Sequence, residues 1–126
     1  MMKKLDGATP AVGPYSAGVA ANGLVFVSGQ LPAGPDGKFP VGIRAQAEQS
    51  IKNVEVVLKA GGSDLQHVIK TTVFLRNIND FSAVNEVYAQ YFNGATLPAR
   101  SCFEVSCLPK NAPMEIEAIG VAADES

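Results

Sequence analysis

The sequence has one histidine, two cysteines and no cluster of lysines and arginines. Each shortage removes a class of function. A lone His67 without a CxxC pair cannot supply a zinc ligand set, and a surface histidine at a loop-to-strand junction is expected. Cys102 and Cys107 are an odd number of residues apart. On one strand they point to opposite faces and cannot bridge, so they read as free thiols in a reducing compartment, with Cys107 expected in the core. Ten basic residues are scattered among twelve acidic ones, for a net charge of -2. No basic run can lie along phosphates, so nucleic acid is a poor partner. The one close basic pair, Lys3-Lys4, sits at a terminus expected to be mobile. No apolar run reaches membrane-spanning length, and "MMKKLDGATP" lacks the apolar stretch of a secretory signal. A soluble, cytoplasmic protein is expected. "AGGS" and "GPDGK" are turn chemistry without phosphate-loop spacing.

Hydrophobic residues make up 47% of the 126 positions, enough for one core, so residues 1–126 are read as a single domain. In "YSAGVAANGLVFVSGQ" two apolar stretches flank Asn22-Gly23, the signal of a hairpin with a type I′ turn. "GQLPAGPDGKFPVG" is a loop long enough to carry function. From Ile43 to Ala60 the period becomes helical, with Ile43, Ala47, Ile51, Val54 and Leu58 inward. Charges of alternating sign line the other side, and Gly61-Gly62 ends the helix. "VIKTTVFLRN" alternates as a strand, with Ile69, Thr71, Val73 and Leu75 on one face. Asn79 or Asp80 can cap a second helix that turns Phe81, Val84, Tyr88 and Tyr91 or Phe92 inward. Strands are expected from Arg100 to Cys107 and from Met114 to Val121. The fold class is therefore α+β, in the order β-β-α-β-α-β-β, with a mixed sheet and both helices on one face. The other face, carrying Val and Phe, is left uncovered, which implies a homo-oligomer.

Arg100, Cys102 and Glu104 share one face of the fourth expected strand. An arginine fork suits a carboxylate. If the last two strands pair, Arg100 can approach Glu115, and a structural ion pair is the commoner arrangement. A nucleophilic Cys102 needs a base that His67, in another element, does not supply, so a small, partly buried strand residue is the simpler reading, its backbone still close enough to Arg100 to touch a ligand. Tyr15 after Gly13-Pro14 can pack or stack on a ligand. Ser28-Gly29 can form a turn or admit a close backbone approach. Asn85 flanks the apolar stripe of the second helix, placed to bond a neighbour or to reach a cleft.

"LPARSCFEVSCLPKNAPMEIEAIG" resembles the signature of the RidA/YjgF/YER057c/UK114 family, the reactive-intermediate deaminases. "AVGPYSAGV", "FVSGQLP", "AQAEQSIKNVEVVLKAGG" and "VIKTTVFLRNINDFSAVNEVYAQYF" agree with it, so the resemblance covers nearly the whole chain. It implies a fold like the small trimeric chorismate mutases and a homotrimer with clefts between subunits. It implies hydrolysis of enamine and imine acids (2-aminoacrylate/2-iminopropanoate and 2-aminocrotonate/2-iminobutanoate) to 2-oxo acids and ammonia. These substrates are released by pyridoxal-phosphate-dependent serine and threonine dehydratases. In this resemblance Arg100 clamps the substrate carboxylate, Glu115 positions the water, and Cys102 gives backbone contacts and shape. Tyr15, Ser28, Gly29 and Asn85 line the cleft. No metal or organic cofactor is implied. The motifs match the archetypal branch at every one of these positions. A non-catalytic binder of 2-oxo acids and an RNA-cleaving relative are the alternatives.

Overall fold

The computed structural model describes residues 1–123. Its elements are β1 (Lys3–Leu5), β2 (Gly18–Ala21), β3 (Leu24–Gln30), α1 (Ile43–Ala60), β4 (Val68–Leu75), α2 (Phe81–Tyr91), β5 (Ala99–Glu104) and β6 (Met114–Val121). The six strands form one sheet in the order β1-β2-β3-β6-β4-β5. Only β4 and β5 run parallel; the other neighbours are antiparallel. A parallel pair needs a crossover, and α2 provides it.

The hairpin between β2 and β3 forms as its sequence requires. Asn22 and Gly23 both have positive φ (53° and 77°), the backbone of a type I′ turn. Helix α1 has the expected limits and buries Ala47, Ile51, Val54 and Leu58, together with Val57. Its outer face carries the loose pairs Lys52–Glu48 (3.5 Å) and Lys59–Glu55 (3.8 Å). Arg44 reaches across to Glu86 of α2. Both helices pack with Val25, Val73, Leu75, Met114 and Ile116 in one core. The opposite sheet face leaves Phe26 and Phe103 exposed.

Four expectations need correction. The amino terminus is ordered: Lys3-Lys4-Leu5 is an edge strand on β2, and its single buried residue, Leu5, enters the core. A three-residue strand is too short to display a period. In β4 a register shift between Val68 and Lys70 puts Val68 inside and Ile69 outside, reversing the face assigned to both. Helix α2 is not capped by the side chain of Asn79 or Asp80; Asn77 accepts from the Asn79 N–H (2.9 Å) in the turn before it. Finally, β5 ends at Glu104, where it has run alongside β4 to Leu75, so Cys107 lies past the sheet and is exposed. Alternation assigns a face only while a strand has a neighbour.

Two buried polar residues on α1 interrupt its apolar stripe. Asn53 is fully used: its Nδ2 donates to the carbonyls of Leu31 (3.0 Å) and Ala33 (2.8 Å), and its Oδ1 accepts from Gln49 (3.0 Å). This ties down the long loop after β3. The Ser50 hydroxyl is fully buried and has no hydrogen-bond partner among the described residues. A buried hydroxyl without a partner costs about 1–3 kcal/mol, and alanine is the better helix former. Ser50→Ala should therefore raise the urea midpoint at fixed protein concentration, by about 1 kcal/mol in stability, with an unchanged slope. A lower midpoint would mean that the hydroxyl finds a partner in the folded protein.

Candidate active site

The sheet order separates the residues expected to act together. β5 and β6 lie on either side of β4, with Arg100 beside Thr71 and Glu115 beside Phe74. Two strand spacings across and three residues along place their Cα atoms roughly 14 Å apart. They also point to opposite faces. Arg100 lies over α2, whereas Glu115 alternates with the buried Met114 and Ile116 and faces away from the core. The Arg100–Glu115 ion pair considered from sequence does not form, because β5 and β6 are not neighbours.

One group of expected residues gathers at the β5 edge. Arg100 Nη1 donates to Asn85 Oδ1 (2.6 Å), and the guanidinium carbon sits 4.8 Å from the centre of the Tyr88 ring and 5.5 Å from that of Phe81. Among the described residues no carboxylate pairs with Arg100. Beside it is a depression of about 370 Å³ lined by Asn85, Tyr88, Ala89, Phe92, Leu97, Pro98 and Arg100. Cys102, two residues along, is half-buried against the core. Burial pushes its thiol above the ordinary value, and the nearby Arg100 offsets this only in part. A protonated thiol is a poor nucleophile, which fits a shape-giving role. Tyr88 was expected as a core residue only, and its contact with Arg100 was missed. The signal was the spacing of Phe81, Asn85 and Tyr88, which puts them on one helix face.

The second group surrounds Glu115. Tyr15, Gly29, Gln30, Leu31, Asn53, Pro109, Lys110 and Glu115 are among the residues lining a depression of about 210 Å³. Gly29 lies where the β3–β6 register shifts, between Val27 and Gln30. A Cβ on Gly29 would stand 2.5 Å from Glu115 Cδ and 2.6 Å from Oε1. Glycine is thus required for the carboxyl to lie against the β3 backbone. The Ser28 hydroxyl donates to the Ser16 carbonyl (2.6 Å), and the Ser28 N–H donates to Ala17 (2.9 Å). Ser28 therefore anchors the segment that carries Tyr15, which is itself exposed. Lys110 has a left-handed backbone (φ 56°), and Asn111 beside it (φ 55°) accepts from Arg76 Nη1 (2.6 Å). Sequence reading singled out neither Asn53 nor Lys110, which line the same depression as Glu115.

His67 lies away from both groups, with Nδ1 2.7 Å from Asp64 Oδ1. Among the described residues no group of three or more His, Cys, Asp or Glu could hold a metal ion. No helix among them is long and apolar enough to cross a membrane.

Burial, and after it the like charge of Glu117, hold the Glu115 carboxyl above its ordinary range. A carboxyl whose pKa is higher folded than unfolded favours the fold while protonated, below the unfolded value of about 4.3. That contribution is lost as pH rises through the raised folded value. Glu115→Gln should thus raise Tm over the parent at pH 8, and the difference should vanish near pH 4. A difference independent of pH would remove the desolvation argument.

Comparison with known proteins adds to this geometry. A family model described as "Endoribonuclease L-PSP" matches residues 6–122. The 2-iminobutanoate/2-iminopropanoate deaminase of Escherichia coli (strain K12) is 44% identical over 119 residues, covering 92% of this chain and 93% of that protein. The crystal structure of E. coli TdcF with bound serine matches with a TM-score of 0.90 at 43% identity, over 94% of this chain and 98% of that one. The YjgF gene product from E. coli matches with a TM-score of 0.88 at 42% identity, over 94% and 98%.

Proposed function

Because the chain belongs to the RidA/YjgF family, the one described as endoribonuclease L-PSP, we propose that it is a hydrolytic deaminase of short enamine and imine acids. Its substrates are 2-aminoacrylate/2-iminopropanoate and 2-aminocrotonate/2-iminobutanoate, converted to 2-oxo acids and ammonia. The observation that carries this reading is an arginine fork held by an amide and two rings, unpaired with any carboxylate among the described residues, and open to a depression. The similarity to an iminobutanoate/iminopropanoate deaminase over nearly the whole chain supports the same reading.

The two groups of residues act on one substrate if they belong to different subunits of a homotrimer. Arg100, Asn85 and Cys102 come from one chain; Tyr15, Ser28, Gly29 and Glu115 come from the next. The exposed aromatic residues on the helix-free sheet face support such an assembly. The unspent N–H donors of Arg100 take the substrate carboxylate in charge-assisted bonds. Glu115, as carboxylate, accepts a proton from water while the water oxygen bonds to the imine carbon. The imine reacts as its iminium, C=NH2+, so this attack gives a neutral carbinolamine. Glu115 returns the proton to the nitrogen, the C–N bond breaks as the hydroxyl becomes the carbonyl and gives its proton back to Glu115, and ammonia leaves. The imine is intrinsically electrophilic, so orientation and one acid–base group suffice. The proposed source of substrate is a pyridoxal-phosphate-dependent serine or threonine dehydratase. The proposed compartment is the cytoplasm, where Cys102 and Cys107 stay reduced.

Coupled to a threonine dehydratase, the parent should accelerate 2-oxobutanoate formation over the uncoupled rate. Arg100→Ala should lose at least about 100-fold of that acceleration while the assembly stays intact; undiminished acceleration would remove the clamp. Glu115→Gln separates this reading from a non-catalytic binder: binding of 2-oxobutanoate should persist and turnover should stop. The acid limb of the parent's kcat/KM profile should lie above the ordinary carboxylate range. Glu117→Gln, which removes the like charge, should move that limb to lower pH; an unmoved limb would leave burial as the whole cause of the raised value. The family description also raises RNA cleavage, against which the net charge of -2 and the lack of a basic run in the sequence argue. Nuclease activity that persists in Arg100→Ala would come from elsewhere than this cleft.

A further inference from the structure

We propose that Phe81 and Tyr88 form an aromatic shelf that sets the direction of the Arg100 guanidinium, so that both are positioning residues for the carboxylate clamp. This rests on the reading of Arg100 given above and deepens it. Phe81, Asn85 and Tyr88 follow each other at four- and three-residue steps, so one face of α2 lies under a single arginine. Both rings are within cation–π reach of the guanidinium carbon, at 5.5 Å and 4.8 Å.

The shelf is itself fixed. The Tyr88 hydroxyl and Thr71 Oγ1 of β4 are 2.7 Å apart in the buried interior. The Tyr88 ring stacks on Phe92, with centroids 4.3 Å apart and planes at 30°. Phe81 begins α2 directly after the turn at Ile78–Asp80, where Glu104 Oε1 accepts from the Ile78 N–H (2.9 Å). A strand on one side and a capped turn on the other therefore set the two rings.

These contacts hold the arginine without neutralising it. A carboxylate at position 85 would grip the fork more firmly, but it would cancel the charge and compete with an anionic substrate. The amide of Asn85 and two ring faces restrain the side chain and leave its formal charge and remaining N–H edge for the ligand. The rotamer freedom that a free arginine would lose on binding is lost on folding instead.

The test is calorimetric titration of 2-oxobutanoate into the assembled protein, with KM and kcat from the coupled assay. Phe81 is only half-buried and carries the test if Tyr88→Leu does not fold by circular dichroism. Phe81→Leu, and Tyr88→Leu where folded, should raise Kd by roughly two- to thirty-fold and raise KM more than they lower kcat. Phe81→Tyr, which keeps the ring, should bind like the parent. Asn85→Asp should weaken binding although it grips the arginine more firmly. In an Arg100→Lys background Phe81→Leu should add little, because the planar partner is gone. Parent-like affinity in Phe81→Leu, or an equal effect in the Arg100→Lys background, would overturn the shelf. Parent-like affinity in Arg100→Lys alone would instead overturn the clamp.

Discussion

The parallel pairing of β5 with β4 is the constraint on which the rest of the molecule turns. Parallel neighbours cannot be joined by a tight turn, so the chain must cross over, and α2 is that crossover. The crossover lays α2 along the sheet edge, and the edge strand begins with Ala99 and Arg100. Arginine, amide and rings meet there for that reason alone. The same pairing sends the chain after Glu104 through the turn at Pro109–Asn111 and back into the sheet as β6, between β3 and β4. Arg100 is thereby kept away from the acidic face of β6.

That separation gives the two functional groups independent environments. Arg100 is exposed, charged and restrained by neutral partners. Glu115 is half-buried against Gly29 and close to a like charge, so it is held partly toward its protonated form. Placed in one chain as neighbours, each would quench the other. Kept on opposite faces, the guanidinium retains its charge and the carboxyl its raised affinity for a proton. The desolvated Glu115 is a local loss of stability of the kind found at functional sites.

Much of the fold could be read from the sequence because its signals are local. Asn22-Gly23 needs no partner to specify its turn, and α1 and β6 carry enough apolar repeats to fix their limits. The errors fall where a long-range partner decides. Leu5 is a core residue only because β2 pairs with its strand. The faces of Val68 and Ile69 depend on a bulge against β6. Cys107 is exposed because β5 runs out of neighbour before reaching it.

The candidate site divides along the same line. Residue types and motif spacing by themselves determined which residues to consider: a fork at Arg100, a carboxylate at Glu115, a close approach at Gly29 and a boundary amide at Asn85. Strand order decided which of them meet. Two residues sharing a motif are near in sequence, but a third strand inserted between theirs separates them by two sheet spacings and a face. No local pattern encodes that insertion, because it results from the packing of the whole sheet.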